Sequence, residues 1–353
     1  MQLMREDKFV VARLSALGDV VLTTGVLDYW HRTRGWRFQV LTRKSLTSIF
    51  DNHPAVDAVI GLSEDDLKFP ASLGLFRQLA AKFKGARLID LHDSLRTRML
   101  AKLWRGKVMR YPKLGVARRL FLFSGHRLCE AALLAHNVPQ RYAQAADEPP
   151  PPKSELVPRI FLSSDELAEA AQRLQEPVPC MQRLDAPGGK VPLVALHPYA
   201  THPQKAWPPE YWQRLIADLE ARGITWFVVG QENEPALRLH LPQAAARDFT
   251  NLTGLRATCA LLAQADLLIT ADSGPMHLGT AVGTPVLGLF GPTTRHWGFF
   301  PSGPQDKVLE ADCPDRPFSL HGKTGGKDGD SCMRLIEPGQ VLEQAVEMLG
   351  NKS

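Results

Sequence analysis

The run from Ala265 to Pro292 constrains this chain most. It reads as a buried strand (Leu267 to Thr270), a tight turn at Asp272, Ser273 and Gly274, a short helix, and a second buried strand (Val286 to Phe290). Pro275 suits the first helical position, because the N–H it lacks is one the helix leaves unpaired anyway. The N–H groups that follow point out of the sheet edge beside small residues, which makes a seat for a phosphate. A plain βα turn shares part of this pattern. The acid-hydroxyl-glycine run followed by Pro-Met-His is more specific than turn formation requires, so a nucleotide-phosphate site is expected here.

Upstream, short apolar runs alternate with helical stretches. Phe9 to Leu14, Phe38 to Leu41, Val56 to Ile60 and Arg87 to Leu91 read as strands; Val20 to Arg32, Leu73 to Phe83 and about Ser94 to Trp104 read as helices. Alternation of this kind implies a parallel sheet with helices on both faces. Ala143 to Ser154, with Asp-Glu-Pro-Pro-Pro-Pro-Lys at its centre, breaks the pattern and reads as a linker. A second series follows: a helix behind Ser164, a loop from Glu176 to Lys190, a strand Leu193 to His197, a helix Pro209 to Arg222, a strand Thr225 to Val229 and a helix Leu255 to Ala265. A last helix runs from Pro338 to Leu349. The expected organisation is an α/β domain over 1–150, a second over 156–337, and a closing helix in 338–353. Ligands of open α/β sheets bind at the carboxyl edge of the strands, so residues after the strands of both halves are expected to face one gap.

At 353 residues the chain is long enough for two such domains. Hydrophobic content of 44% and charged content of 22% fit an ordinary globular protein, and no run of about 18 apolar residues exists to span a membrane. Met1 to Lys8 is charged and unlike a secretory signal. Five cysteines (129, 180, 259, 313 and 332) lack a Cys-x-x-Cys pair, which argues against zinc and fits a reducing cytoplasm. Cys313 and Cys332 flank a Gly/Lys loop, and the sequence leaves their pairing open. From Arg96 to Arg119 there are nine Lys or Arg and no acid, a block that attracts phosphates unless it is merely a solvated helix face.

Several strand ends carry candidate chemistry. The first is followed by Arg13-Leu14-Ser15-Ala16-Leu17-Gly18-Asp19, where Ser15 and Gly18 make a small turn at the mouth of the gap. Asp19 is either a partner of the helix dipole or a general base. The absence of G-x-G-x-x-G argues against dinucleotide binding, and Gly322-Lys323-Thr324 is no Walker A site, because position 317 is Pro and no strand precedes it. Asp65-Asp66 and Asp328-Gly329-Asp330 lie in polar stretches, so no metal site is expected. Lys205, on the loop His197 to Pro208, offers a fixed positive charge beside the phosphate seat, with Thr201 on the same loop. Glu232 follows another strand end, where an acid can accept bonds from ribose hydroxyls or merely face a helix N-terminus.

These residues resemble the ADP-heptose:lipopolysaccharide heptosyltransferases, glycosyltransferase family 9. The resemblance is carried by Arg-Leu-Ser-Ala-Leu-Gly-Asp-Val-Val (13 to 21), Asp-Leu-His-Asp-Ser-Leu-Arg-Thr (90 to 97), Lys-x-Trp-Pro (205 to 208), Asn-Leu-Thr-Gly (251 to 254), Ala-Asp-Ser-Gly-Pro-Met-His-Leu (271 to 278) and Phe-Gly-Pro-Thr (290 to 293). It implies a GT-B fold, two Rossmann-like domains with parallel sheets facing across a cleft, and inverting transfer of heptose from ADP-L-glycero-D-manno-heptose to an inner-core sugar. Asp19 falls on the catalytic base of the family. Lys205, Thr201 and Asp272, Ser273, Gly274, Pro275, Met276 and His277 fall on its nucleotide-diphosphate positions, and Leu252 and Gly254 lie near its adenine pocket. The acceptor would meet Ser15, Gly18, Arg96, Arg98, Arg118 and Arg119, with the basic block holding a cytoplasmic enzyme at the inner face of the inner membrane. No cofactor or metal is expected. Tyr199, Ala206 and His92 depart from common family residues and leave donor sugar and acceptor open. A nucleotide-sugar epimerase is the enzymatic alternative. Nucleic-acid binding is not expected, since Trp104 and Tyr111 are a thin supply of stacking residues.

Overall fold

The computed structural model describes residues 8–175, 191–231, 247–314, 316–320, 322 and 332–350. By its internal contacts the chain divides into two units, 1–114 with 136–161, and 115–135 with 162–353. This division differs from the expected single boundary near 150: the chain passes between units after residues 114, 135 and 161.

In the first unit the elements run β1 (Phe9–Ala12), α1 (Leu17–Arg34), β2 (Phe38–Arg43), β3 (Val56–Leu62), α2 (Ala71–Lys82), β4 (Arg87–Asp90), α3 (Leu95–Leu103) and β5 (Val108–Arg110). The chain then contributes α4 (Gly115–Phe123) and α5 (Glu130–Leu134) to the second unit and returns with α6 (Val138–Ala143). The parallel sheet has the order β3-β2-β1-β4-β5. β1 is Phe-Val-Val-Ala, buried throughout, as a strand covered on both faces must be. α1 is buried almost all round from Val20 to Trp30, and Gly35, in the left-handed region at φ 66°, ends it.

The proline-rich segment is not a free tether. Asp147 accepts hydrogen bonds from Trp30 and Arg34, and Arg32 pairs with Glu155, so the segment packs along α1. A Cβ at Gly25 would lie 2.4 Å from the Leu156 carbonyl oxygen, so only glycine lets this chain cross so close.

The second unit continues with α7 (Ser164–Gln175), β6 (Leu193–His197), α8 (Pro209–Glu220), β7 (Thr225–Val228), α9 (Leu255–Ala263), β8 (Leu267–Ala271), α10 (Gly274–Ala281), β9 (Val286–Phe290), β10 (Lys307–Glu310) and α11 (Pro338–Gly350). Its parallel sheet has the order β10-β9-β8-β6-β7. α11 is no appendage: Val341, Leu342 and Ala345 share one core with Trp212 and Leu215 of α8 and with β6 and β8. Cys313 and Cys332, left open by the sequence, are joined in a disulfide.

Each sheet has one switch point, where neighbouring strands connect in opposite directions: between β1 and β4 in the first unit, between β6 and β8 in the second. The carboxyl ends of these strand pairs are where an open α/β sheet presents its ligand site.

Candidate functional site

At the first switch point, β1 leads through Arg13–Ala16 into α1. Asp19 sits in the first turn of α1, its Oδ2 3.4 Å from the Ala16 N–H. Arg13 Nη2 lies 2.7 Å from the same oxygen, and the Tyr142 hydroxyl donates to Oδ1 at 2.7 Å. Both partners are buried, at 6% and 1% exposure, while the Asp19 side chain keeps 19%. Asp19 therefore faces the helix start and also remains reachable. Arg13 is anchored in turn by the Leu91 carbonyl after β4, at 2.5 Å. Burial opposes the Arg13 charge most strongly, but Asp19, Tyr142 and Tyr111 together outweigh it and the pKa of the guanidinium is raised. Ser15 and Gly18 are half-buried beside Asp19, on the same turn.

The end of β4 is knotted by Asp90, fully buried, whose Oδ1 accepts the N–H groups of His92 and Asp93. Burial and the neighbouring Arg13 and Lys113 push His92 down to about 4, so it is neutral at physiological pH. Lys113 donates to the carbonyls of His92 and Asp93.

At the second switch point, the loop after β6 ends in a 3-10 turn, Pro203–Lys205. Trp207 locks that turn from below: it is buried, its Nε1 donates to the Ile336 carbonyl at 2.8 Å, and its ring meets Trp212 edge-on. Lys205 Nζ is thereby held 2.6 Å from Asp272 Oδ2, which also accepts the Thr293 hydroxyl at 2.7 Å. Arg316 pins the loop that carries Thr293, donating to the carbonyls of Phe290, Gly291 and Thr293 while pairing with Glu310. Gly322 passes against Lys205; a Cβ there would come within 2.6 Å of its Cε.

α10 starts between these groups. Ser273 is its N-cap residue but makes no side-chain cap bond; its Oγ lies 3.3 Å from His197 Nδ1 instead. Burial lowers His197 to about 4. Pro275 stands second in the helix, after Gly274, rather than first. Met276 and His277 are buried, so Met276 supplies packing and backbone to the turn rather than an exposed side chain. Lys205, its charge opposed by Asp272, thus stands at the same strand ends as the unpaired N–H groups that begin α10.

The remaining sequence candidates fall as follows. Thr201 is exposed on the Lys205 loop. Leu252 is exposed and Gly254 is the N-cap of α9. Beside them Thr250 pairs with the Tyr199 hydroxyl at 2.7 Å. Tyr199 packs on Gly230, where a Cβ would lie 2.6 Å from its ring. Glu232 lies outside the described residues, as do Asp328 and Asp330.

The basic block is divided between the two units. Arg96 and Arg98 belong to α3 of the first unit, Arg118 and Arg119 to α4 of the second. Arg98 is held by Asp93 in a two-pronged pair and Arg96 donates to the Leu67 carbonyl. Arg118 donates to the Trp297 carbonyl and lies over the rings of Trp297 and Phe299. Arg119 is exposed. Among the described residues no cluster of three or more His, Cys, Asp or Glu is arranged to hold a metal.

Four positions were not singled out from the sequence. Arg13 and Thr293 stand inside the recurring motifs, which was their only signal. Tyr142 and Arg316 had none, because each acts across a long sequence separation, 123 residues from Asp19 in the case of Tyr142.

Two Rossmann-like parallel sheets, each with its polar cluster at a switch point, define a GT-B type α/β protein. Residues 73–317 match the profile of glycosyltransferase family 9 (heptosyltransferase), and the chain belongs to that family. It is 28% identical over 97% of its length to lipopolysaccharide heptosyltransferase 1 of Pseudomonas aeruginosa, covering 98% of that protein. To lipooligosaccharide heptosyltransferase 2 of Campylobacter jejuni it is 28% identical over 45% of its length, a match spanning only 51% of that relative. The structure of ADP-heptose lps heptosyltransferase II of E. coli superposes with a TM-score of 0.70 at 19% identity, covering 98% of this chain and 99% of that one, a likeness of fold.

Proposed function

We propose that this chain is an inverting glycosyltransferase that moves heptose from ADP-L-glycero-D-manno-heptose to an inner-core lipopolysaccharide acceptor. The observation that carries this reading is the Lys205–Asp272–Thr293 cluster beside the start of α10, a preorganised seat for a diphosphate. The names of the relatives supply the heptose and the lipopolysaccharide acceptor.

In this reading Asp19 accepts the proton of the acceptor hydroxyl as its oxygen attacks the anomeric carbon, and the bond from that carbon to the diphosphate breaks with its electron pair leaving on ADP. Arg13 and Tyr142 hold one carboxylate oxygen each and orient the group, and the Asp19 side chain keeps 19% exposure through which an acceptor can approach. ADP gains negative charge as it departs, and Lys205 with the amides at Gly274 and Met276 opposes it. That positive charge is the chain's own, so the reading assigns no metal or cofactor.

The acceptor is anionic and lipid-linked, and the enzyme would meet it at the cytoplasmic face of the inner membrane. No described helix is long and apolar enough to cross a membrane. Asp19→Asn should abolish heptose transfer, followed by mass spectrometry of the acceptor, while ADP binding in calorimetry persists. Transfer at the wild-type rate would remove Asp19 from the chemistry, and a new sugar product formed without acceptor would favour epimerisation.

A further inference from the structure

α4 has two faces of opposite character. Phe121, 1% exposed, packs against His296 and Trp297 at ring-centroid distances of 4.6 and 6.1 Å, and Arg118 bonds the Trp297 carbonyl, so this side seats the helix on the second unit. The other side carries Val116, Leu120 and Phe123, spaced four and three residues apart and therefore aligned along one stripe. They are 69%, 41% and 91% exposed. Leu128 and Leu134, just beyond, are exposed as well. A stripe of large apolar side chains held in water by a folded helix marks an interaction surface.

The charges around it say what covers it. Arg119 stands within the stripe and Arg127 follows, both exposed. From residue 94 to 129 the chain has no Asp or Glu, and the first acid beyond, Glu130, faces His296. Apolar side chains with interleaved arginines and no acid complement a bilayer with anionic headgroups, where the arginines meet phosphates and the apolar groups enter the acyl boundary. A two-fold pairing of α4 with a second copy would bring Arg119 toward its own equivalent.

We propose that Val116, Leu120 and Phe123 of α4, with Arg119 and Arg127, form a docking surface for an anionic phospholipid bilayer. The proposal rests on the functional reading only for which membrane is met; lipid binding itself needs neither donor nor acceptor. The full chain should co-sediment with vesicles of phosphatidylglycerol and phosphatidylethanolamine, and binding should fall at least about tenfold on pure phosphatidylcholine or in salt of about 0.5 M. Leu120→Asp with Phe123→Asp should weaken binding about tenfold or more, and Arg119→Glu about fivefold on anionic vesicles alone. Phe123→Ala, at a side chain almost wholly in water, guards against misfolding and should still weaken binding about threefold. ADP affinity should be unaltered in all of them. Wild-type sedimentation of the double variant, or no binding of the wild type to anionic vesicles, overturns the proposal. So does a dimer in light scattering that the double variant dissociates, which gives the face to a second copy. Loss of vesicle binding in the Leu120→Asp, Phe123→Asp double variant with transfer to a delipidated acceptor retained supports the docking role; transfer absent from the wild type, with vesicle binding intact, would count against the functional reading alone.

Discussion

Replacing Lys205 by methionine keeps the aliphatic stem that lies against Gly322 and removes only the charge. Lys205 and Asp272 are 2.6 Å apart, with side chains 15% and 14% exposed, so their charges nearly cancel before any ligand arrives. In Lys205→Met the Asp272 carboxylate keeps the Thr293 hydroxyl but loses its counter-charge, and the seat changes from about neutral to negative. Two unit charges about 4 Å apart interact by about 4 kcal/mol at an effective dielectric of about 20. Water reaches this site, so about half of that, roughly 2 kcal/mol, is the realistic loss. ADP should then bind about thirtyfold more weakly in titration calorimetry. Adding Asp272→Asn removes the repulsion, and the double variant should recover to within about fivefold of wild type. Recovery to full affinity would mean that Lys205 only neutralises Asp272. Wild-type ADP affinity in Lys205→Met, with an unchanged melting curve, would refute the assignment of the diphosphate to this cluster.

Tyr142→Phe removes one hydrogen bond from Asp19 while filling the same buried volume; it should lower kcat about three- to tenfold and leave the donor KM within about twofold, whereas a wild-type kcat would show that Tyr142 does not position the base. Glu166, held by Arg256 through contacts of 2.6 Å, is lowered from 4.5 to about 2. A depressed carboxylate stabilises the fold above its unfolded value and loses that contribution as pH falls toward 2. With 27% of the Glu166 side chain in water, the pair is worth about 1–2 kcal/mol. Arg256→Met should cost that much at pH 7 in urea unfolding and flatten the acid dependence below about pH 4.5; equal stability at pH 7 would contradict it. The Cys313–Cys332 bridge closes a separation of 19 residues, worth about 3 kcal/mol in the chain-entropy account. Cys313→Ser should lower the melting temperature by several degrees, and an unchanged value would show that the bridge contributes nothing.

The strands were legible because each carries its own signal. β6 and β9 stand where their apolar runs put them, Leu193–His197 and Val286–Phe290, and the turn at Asp272 follows from its residues. β5, three residues within the basic block, and β10, only partly buried, lack a continuous apolar run and were not read as strands. The proline-rich segment misled for a similar reason: its composition describes a tether, but the contacts that fix it lie on α1, more than a hundred residues away in sequence.

What the chain alone determined is therefore local. Periodicity and turn chemistry specified two parallel α/β series, and short motifs marked Asp19, Lys205 and Asp272. Tertiary structure decided the partners: Tyr142 and Arg13 on Asp19, Thr293 on Asp272, Arg316 beneath the Thr293 loop, and the parting of Arg96 and Arg98 from Arg118 and Arg119 into different units. The physical reason is range. A strand or a turn is set by neighbours a few residues away, whereas the charge beside a carboxylate is set by whichever side chains the sheet order brings to the same strand ends.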